Sequence, residues 1–177
     1  FKFAPRMNPT EARQLIEPAI PTKTTATWAD LGCGAGTFTY AVADLLGDKS
    51  KIWAVDKLTQ HLGAKRGEVE IEFLQADIEH QALPLKALDG IIMANTLHYI
   101  KNQAGFLKNL RSYFKGRGQL ILVEYDTVHS NQWVPFPVTY EIAQALLSNA
   151  GFQNVSRIGE HPSSFRSEMI FACVAHT

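Results

Sequence analysis

The sequence predicts an α/β fold with a doubly wound, mainly parallel sheet. Short apolar runs of strand type alternate with segments of helical spacing along the 177 residues, which is the pattern of such sheets. A glycine-rich turn follows the first strand and opens a helix, an arrangement typical of nucleotide-binding sheets. The last two strands follow one another directly, so we expect a hairpin there with one antiparallel strand.

The N-terminal residues predict a helix of their own. Asn8 can cap it, Pro9 suits its first position, and Glu11 stands three residues after Asn8, as in a capping box. Such a helix either lies over a cleft or packs on the sheet, and the sequence leaves both placements open. We expect one domain, with a helical cap segment over residues 1–24 and a core over residues 25–177.

The elements of the core follow from apolar runs bounded by turn residues. We predict seven strands, over residues 25–31, 51–55, 69–74, 88–94, 119–124, 154–158 and 168–175. We predict helices that end at Gly47, over residues 59–66, from Asn102 to Phe114, and over residues 138–150. Residues 77–89, 116–118 and 125–137 predict loops or turns.

Composition excludes several classes of protein. Hydrophobic residues make up 46% of the chain and charged residues 19%, as in ordinary globular domains. The 17 Lys and Arg balance the 17 Asp and Glu, which disfavours a nucleic-acid-binding protein. No apolar run approaches the about 20 residues of a membrane span, and no signal-peptide pattern is present. The two cysteines cannot build a disulfide framework, so we expect a reducing, cytoplasmic setting.

The turn after the first strand carries the strongest chemical signal. It reads Asp30-Leu31-Gly32-Cys33-Gly34-Ala35-Gly36. Glycines let the backbone approach a ligand closely, and the next helix offers unpaired N–H groups to a pyrophosphate or a carboxylate. The G-x-G-x-G spacing differs from the G-x-G-x-x-G of dinucleotide-binding enzymes, and no Lys-Ser/Thr pair follows as in a P-loop.

Two further strand ends carry acids. Asp56 ends the second strand, 20 residues after Gly36 (56 − 36), and Asp77 follows the third, 21 residues later (77 − 56). Asp56 can accept both hydroxyls of a ribose, and Asp77 can accept from the exocyclic amine of an adenine, with Ile78 packed on the ring. Each acid alone is typical of a solvated strand end, but the acids and the glycine turn together favour a nucleoside site.

These features resemble class I S-adenosylmethionine-dependent methyltransferases, over nearly the whole chain. The segments that match are residues 28–36, Val55-Asp56, Gln75-Ala76-Asp77-Ile78, residues 88–95, Leu97-His98-Tyr99-Ile100, residues 118–123 and Ala150-Gly151-Phe152. The resemblance implies a Rossmann-like sheet in the order 3-2-1-4-5-7-6 with strand seven antiparallel. It also implies S-adenosylmethionine as cofactor and S-adenosylhomocysteine as product.

The resemblance implies a set of cofactor-binding residues, namely Asp30, Gly32, Cys33, Gly34, Gly36, Asp56, Lys57, Asp77, Ile78, Asn95 and Thr96. Asp30 would face the methionine amino group, and Asp56 would hold the ribose hydroxyls. Asn95 and Thr96 would lie near the transferred methyl group. Asp89 stands at the other end of its strand, and we interpret it as structural.

The loops after strands four and five hold the candidates for acceptor chemistry. His98 and Tyr125 are the candidate catalytic residues, because a neutral amine or hydroxyl must lose a proton when it is methylated, and histidine accepts protons near neutral pH. An acidic carbon or a thiolate can be methylated without a local base. The alternative role of His98 is that of a wall residue that packs on the cofactor. The predicted substrate pocket comprises His98, Tyr99, Glu124, Tyr125, Trp133 and Arg166.

We expect a metal-independent enzyme acting on a small molecule, because the loops show no convincing metal ligands and the chain leaves no room for a substrate domain. The accepting atom stays open among oxygen, nitrogen, carbon and sulfur. We expect a monomer or homodimer with no nucleic-acid or membrane partner. The alternatives are an RNA methyltransferase using the basic residues Lys108, Arg111, Lys115 and Arg117, a non-catalytic cofactor-binding or partner subunit, and an NAD-dependent oxidoreductase.

Overall fold

The computed structural model describes residues 7–163 and 168–177. Within these residues the helices are α1 (Pro9–Ile16), α2 (Thr37–Leu45), α3 (Gln103–Leu110) and α4 (Tyr140–Asn149). The strands are β1 (Thr27–Leu31), β2 (Lys51–Asp56), β3 (Lys65–Arg66), β4 (Val69–Gln75), β5 (Leu88–Ala94), β6 (Phe114–Tyr125), β7 (Gln153–Pro162) and β8 (Met169–His176). Single 3-10 turns occur at Glu17–Ala19, Leu97–Tyr99 and Arg111–Tyr113.

The strands form one mixed sheet in the order β3-β4-β2-β1-β5-β6-β8-β7. The five neighbouring strands β4, β2, β1, β5 and β6 pair in parallel. Strand β8 pairs antiparallel with both β6 and β7. The predicted order 3-2-1-4-5-7-6 with an antiparallel seventh strand is therefore confirmed. The short β3 adds an antiparallel edge beside β4 that was not predicted.

The helix predicted over residues 59–66 is wrong, because tertiary contacts hold this segment in an extended path. The backbone N–H of Gly63 donates to the hydroxyl of Tyr40 on α2. Arg66 forms two hydrogen bonds, 2.7 and 2.9 Å long, with the carboxylate of Asp44. The residues therefore cross the end of α2 and join β4 instead of forming a helical turn.

The predicted turn at residues 116–118 is a bulge within a long strand. Leu88 pairs with Phe114, and the next pair along is Gly90 with Gln119, so the register shifts between them. Gly116, at φ 55°, adopts the left-handed backbone that this irregularity requires. Phe114, which the helical spacing had assigned to the preceding helix, therefore begins β6.

The two faces of the sheet carry separate apolar cores. One face packs against α1 and α2, with Val42 and Leu45 beside Ile52 and Ile121. The other face packs against α3 and α4, with buried leucines from both helices against β5 and β6. The capping box predicted at the start of α1 is present, and α1 lies on α2 and β7. Of its two possible placements, α1 thus takes the one on the sheet.

The predicted structural role of Asp89 is confirmed by its contact at the start of β5. Its Oδ2 accepts a hydrogen bond of 2.8 Å from the backbone N–H of Thr27. This bond joins the beginnings of β1 and β5, at the edge of the sheet opposite the carboxyl ends of the strands.

The close packing of β1 on β5 predicts that a methyl group at position 90 destabilises the fold. A Cβ on Gly90 would overlap the indole ring of Trp28, which is buried. We expect Gly90→Ala to lower the free energy of unfolding by about 1–3 kcal/mol. Gly63→Ala is the control, because a Cβ there meets only ordinary contacts of 3.6 and 3.8 Å. Urea unfolding that gave equal stabilities for both variants would contradict this account.

Candidate active site

The carboxyl ends of the parallel strands meet at one edge of the sheet and build two adjoining cavities. The first cavity has a volume of about 450 Å³ and is lined by residues that follow β1, β2, β4 and β5. Ligands of open α/β sheets bind at this edge. The predicted residues that line the first cavity are Gly32, Asp56, Lys57, Asp77, Ile78, Asn95 and Thr96.

The glycine turn reaches the first cavity at Gly32, and its backbone takes conformations that other residues avoid. Gly32, Gly34 and Gly36 have φ values of 82°, 48° and 86°, in the left-handed region that favours glycine. A Cβ on Gly32 would also overlap the side chain of Thr96. The N–H groups of Gly32 and Cys33 donate to the carbonyl of Val55, at 2.8 and 3.0 Å, which fastens the turn to β2.

Asp56 connects the glycine turn to the wall of the first cavity. Its Oδ2 accepts from the N–H of Gly34 and its Oδ1 from the N–H of Leu58, both at 2.9 Å. Each carboxylate oxygen has room for a second hydrogen bond. Asp56 therefore shapes the turn and still presents acceptors to a ligand in the first cavity.

Asp77 lines the first cavity and is held there by a turn of its own. Burial acts to raise the pKa of Asp77, but hydrogen bonds from His80 and from the N–H of Glu79 outweigh it, so this pKa is lowered. Nδ1 of His80 lies 3.2 Å from Oδ2 of Asp77. The sequence analysis missed Glu79 and His80 as lining residues, although their position two and three residues after Asp77 is typical of a turn that caps a carboxylate.

Asp30 lies behind the glycine turn and is only 1% exposed. The hydroxyl of Thr39 donates to its Oδ2 at 2.6 Å, and its Oδ1 is buried without a hydrogen-bond partner in the described residues. Burial, only partly opposed by the Thr39 hydrogen bond, raises the pKa of Asp30 to about 7, and the charge of Asp56 adds to the rise. A buried carboxyl oxygen without a partner is unusual in proteins and indicates a place where a donor belongs.

The other predicted residues of the glycine turn also lie outside the lining of the first cavity, namely Cys33, Gly34 and Gly36. The thiol of Cys33 is buried, and burial raises its pKa far above the ordinary range, with the charges of Asp30 and Asp56 adding to the effect. Cys33 therefore stays a neutral thiol that packs under the turn, and it is no nucleophile.

The second cavity adjoins the first and has a volume of about 390 Å³. Asn95 and Tyr99 line both cavities. Asn95 holds a left-handed backbone at φ 51°, and its N–H donates to the carbonyl of Val123 at 2.7 Å. The chain therefore turns sharply after β5 and places the following 3-10 turn, with His98, in the wall of the second cavity.

His98 and Glu124 form a buried pair at the back of the second cavity. Nδ1 of His98 lies 2.6 Å from Oε2 of Glu124, and the side chains are 2% and 1% exposed. Oε1 of Glu124 accepts from the N–H groups of Thr96 and His98, at 3.0 and 3.3 Å. The prediction that Glu124 lines the pocket is corrected, because His98 lies in the wall and Glu124 supports it from behind.

Two tyrosines flank His98 in the wall of the second cavity. The ring centroids of Tyr99 and Tyr125 lie 4.3 and 6.0 Å from that of His98. Burial and the charge of Glu124 raise the pKa of both phenols. Each phenol therefore keeps its proton near neutral pH and is a hydrogen-bond donor rather than a base.

The loop between β6 and α4 completes the second cavity. Trp133 lines it and is 66% exposed, so it is a wall residue and not part of the core. The loop is tied to the histidine turn, since the N–H of Phe136 donates to the carbonyl of His98 at 3.0 Å. Glu168, Asn131 and Gln132 also line the cavity and were not predicted. Arg166 lies outside the described residues.

The described residues lack two kinds of feature. Residues 7–163 and 168–177 contain no group of three or more His, Cys, Asp or Glu side chains that could hold a metal ion. None of the helices in the same residues is long and apolar enough to cross a membrane.

Comparison with known sequences relates most of the chain to one enzyme class. A family model described as a methyltransferase domain matches residues 23–158. The chain is also 32% identical, over 111 residues, to the fusarielin synthase FSL1 of Gibberella zeae, and the match covers 54% of this chain. It spans only 4% of that synthase, so the similarity concerns one small part of a much longer protein.

Solved structures share the fold over nearly the whole chain. A SAM-dependent methyltransferase from Aquifex aeolicus superposes with a TM-score of 0.66 at 19% identity, covering 97% of this chain and 99% of that one. The 1,6-didemethyltoxoflavin-N1-methyltransferase of Burkholderia thailandensis, solved with S-adenosylhomocysteine, superposes with a TM-score of 0.71 at 15% identity. The superposition covers 94% of this chain and 76% of that one. The CurJ carbon methyltransferase superposes with a TM-score of 0.64 at 21% identity, covering 91% of this chain and 50% of that one.

The buried carboxyl of Asp30 predicts a specific dependence of stability on pH. Its pKa is about 7 in the folded chain, so between about pH 4 and pH 7 the folded chain holds a proton that the unfolded chain has lost. The free energy of unfolding therefore falls as pH rises through this window, by on the order of 4 kcal/mol from Asp30 alone.

Asp30→Asn removes this titration, so its stability should fall less than that of the wild type between about pH 4 and pH 7. Urea unfolding at several pH values measures both curves. Parallel curves would show that Asp30 is ionised in the folded chain throughout.

Proposed function

The chain belongs to the methyltransferase-domain family, and on that premise we propose that it transfers a methyl group from S-adenosylmethionine to a carbon atom of a small molecule. This membership confirms the prediction, made from the motifs, of an S-adenosylmethionine-dependent methyltransferase. The buried pair of His98 and Glu124 is the observation that carries the proposal on the acceptor. The cofactor supplies a methyl group on a sulfonium, which an acceptor can take by in-line displacement with the bonding pair left on sulfur.

The lining of the first cavity fits this cofactor. Asp56 has free acceptor capacity for the two ribose hydroxyls, and Asp77 with Ile78 would hold the adenine. The unpartnered Oδ1 of Asp30 matches the need of an ammonium group for a buried acceptor, directly or through water. Lys57 would lie beside the adenine, and Asn95 with Thr96 beneath the methionine part. Cys33, Gly34 and Gly36 would support this cradle from behind.

The His98 and Glu124 pair is built as a general base. Because Nδ1 of His98 faces the Glu124 carboxylate at 2.6 Å, the ring proton belongs on Nδ1 and the lone pair on Nε2. The imidazole lies in the wall of the second cavity, where Nε2 can take a proton from an acceptor. The charge of Glu124 then stabilises the imidazolium that forms, as a buried carboxylate does behind other catalytic histidines.

A carbon acceptor agrees best with this base. A carbon beside a carbonyl group becomes a nucleophile only after it loses a proton, so a positioned base speeds its methylation unless the carbon is acidic enough to ionise unaided. One structurally similar protein is named as a carbon methyltransferase, and the relative in sequence is named as a synthase. A hydroxyl acceptor would also use the base, and the acceptor panel described below separates the two.

A small acceptor agrees better with the charge distribution than RNA does. Lys115 and Arg117 lie at the beginning of β6, and Arg117 is separated from Tyr125 in the second cavity by eight residues, roughly 26 Å of strand. These two residues therefore lie toward the other end of the sheet from the second cavity. The side chains at the active site carry acid–base chemistry without needing a metal ion.

Cofactor binding gives the first test. Calorimetry should show that S-adenosylhomocysteine binds the wild-type chain and that Asp56→Ala weakens binding by roughly 10- to 100-fold, as expected for lost hydrogen bonds to a charged group. Asp48→Ala is the matched control, because Asp48 is exposed and its carboxylate makes no hydrogen bond in the described residues. Absence of binding by the folded wild type would overturn the proposal and direct attention to NADH or a partner protein.

The base gives the second test. We expect His98→Ala to lower the methyl transfer rate by about 10²- to 10⁴-fold, and Glu124→Gln to lower it substantially, while both keep their affinity for S-adenosylhomocysteine. Labelled S-adenosylmethionine would be offered with ethyl acetoacetate, simple phenols and primary amines, and product NMR would identify the methylated atom.

His129→Ala is the matched control for the base, because its side chain is on an exposed loop outside both cavities. Full activity of His98→Ala would contradict the base. Transfer to phenols alone would correct the acceptor from carbon to oxygen and leave the methyltransferase intact.

A further inference from the structure

We propose that the Tyr125 hydroxyl donates a hydrogen bond to the acceptor's carbonyl oxygen and stabilises the negative charge that forms there while His98 removes a proton. This inference rests on the proposed carbon acceptor and adds a catalytic residue to it. It assigns two neighbouring groups in the wall of the second cavity to the two halves of one reaction, with His98 as the base and Tyr125 as the group that stabilises the anion.

The placement of Tyr125 is the first observation in support. Tyr125 ends β6 directly after Glu124, and its ring centroid lies 6.0 Å from that of His98. The ring is half-buried and lines the second cavity, yet no hydrogen bond to its hydroxyl occurs in the described residues. A polar group in such a place normally has a partner, so its hydroxyl is available to a ligand.

The charges around the second cavity are the second observation. Glu168 lines the cavity and Glu124 lies just behind His98, whereas none of the described lining residues is a lysine or an arginine. Among the described residues, an enolate formed here would face two carboxylates and no lysine or arginine. The imidazolium at His98 offsets part of this repulsion at the carbon end, and a neutral donor is needed at the oxygen end.

Tyr125 suits that task better than the other phenol in the wall. Its backbone is held in β6 between β5 and β8, with Tyr125 paired to Ile170, and rigid elements position catalytic groups more accurately than loops do. Tyr99 is 48% exposed on a 3-10 turn. The raised pKa of Tyr125 keeps its proton on the phenol, as a donor to an oxyanion requires.

The proton and electrons balance without another reagent. The acceptor's proton moves to Nε2 of His98, and the electron pair of the C–H bond becomes delocalised onto the carbonyl oxygen as an enolate. Tyr125 keeps its proton and shares it in a hydrogen bond. When the carbon takes the methyl group, the pair returns from oxygen, the carbonyl bond re-forms, and the proton on His98 passes to solvent.

The test measures proton removal without methyl transfer. With S-adenosylhomocysteine bound, the protein would be mixed with ethyl acetoacetate in D₂O, and exchange of the methylene protons would be followed by NMR above the buffer rate. We expect Tyr125→Phe to lower the enzymatic exchange rate by about 10²-fold or more, as loss of an oxyanion donor does. Tyr99→Phe should lower it less.

Tyr140→Phe is the matched control and should exchange at the wild-type rate. Tyr140 packs under Arg157, its hydroxyl makes no hydrogen bond in the described part of the chain, and it lines neither cavity. The affinity of each variant for S-adenosylhomocysteine and its urea unfolding curve would show that the fold is kept. If Tyr125→Phe does not fold, a chain carrying 3-fluorotyrosine at position 125 would be used in its place. The more acidic hydroxyl of 3-fluorotyrosine should change the exchange rate measurably.

The outcomes separate this inference from the proposed function. Exchange by Tyr125→Phe at the wild-type rate, or an equal loss in Tyr99→Phe, overturns the role of Tyr125. A wild type that binds S-adenosylhomocysteine but catalyses no exchange overturns it too, and also the carbon acceptor, while the methyltransferase remains. Only a failure to bind S-adenosylhomocysteine removes the proposed function itself.

Discussion

The buried carboxylate of Glu124 is the constraint on which the active site depends. Glu124 is 1% exposed, and a charge so buried is stable only when hydrogen bonds surround it. It finds three of them on the turn after β5, from the N–H groups of Thr96 and His98 and from the His98 ring. The same bonds that compensate this charge fix the position of the turn and the tautomer of the imidazole. The Glu124 side chain therefore both holds the turn in place and prepares His98 for its role.

The position of that turn also explains why two cavities meet where they do. Asn95 and Tyr99 stand at either end of the turn and line both cavities. The left-handed backbone of Asn95 makes the chain leave β5 sharply, and the loop after β6 is bonded to the carbonyl of His98 through Phe136. Cofactor and acceptor sites thus share one rigid wall, which suits a reaction that depends on the alignment of two reactants.

Prediction from sequence succeeded where the signal was local. The glycine turn, the acids at the ends of β2 and β4 and the capping box of α1 are set by neighbouring residues and backbone geometry, and the strand order followed from the family's motifs. The helix predicted over residues 59–66 failed because Tyr40 and Asp44, distant in sequence, hold this segment extended. Glu168 was missed as a lining residue because nothing in its neighbours indicates that β8 begins beside the second cavity.

The sequence by itself determined the α/β class, the cofactor-binding edge of the sheet and the candidate residues after each strand, because parallel strands bring their carboxyl ends together whatever their order along the chain. Only the tertiary structure decided which of those residues act as partners. His98 and Glu124 belong to different strand ends, and their 2.6 Å contact exists because β5 and β6 are neighbours in register. The burial that strengthens the effect of Glu124 on His98 and raises the pKa of the nearby phenols is a property of the whole packed fold. It cannot be recognised from neighbouring residues in the sequence.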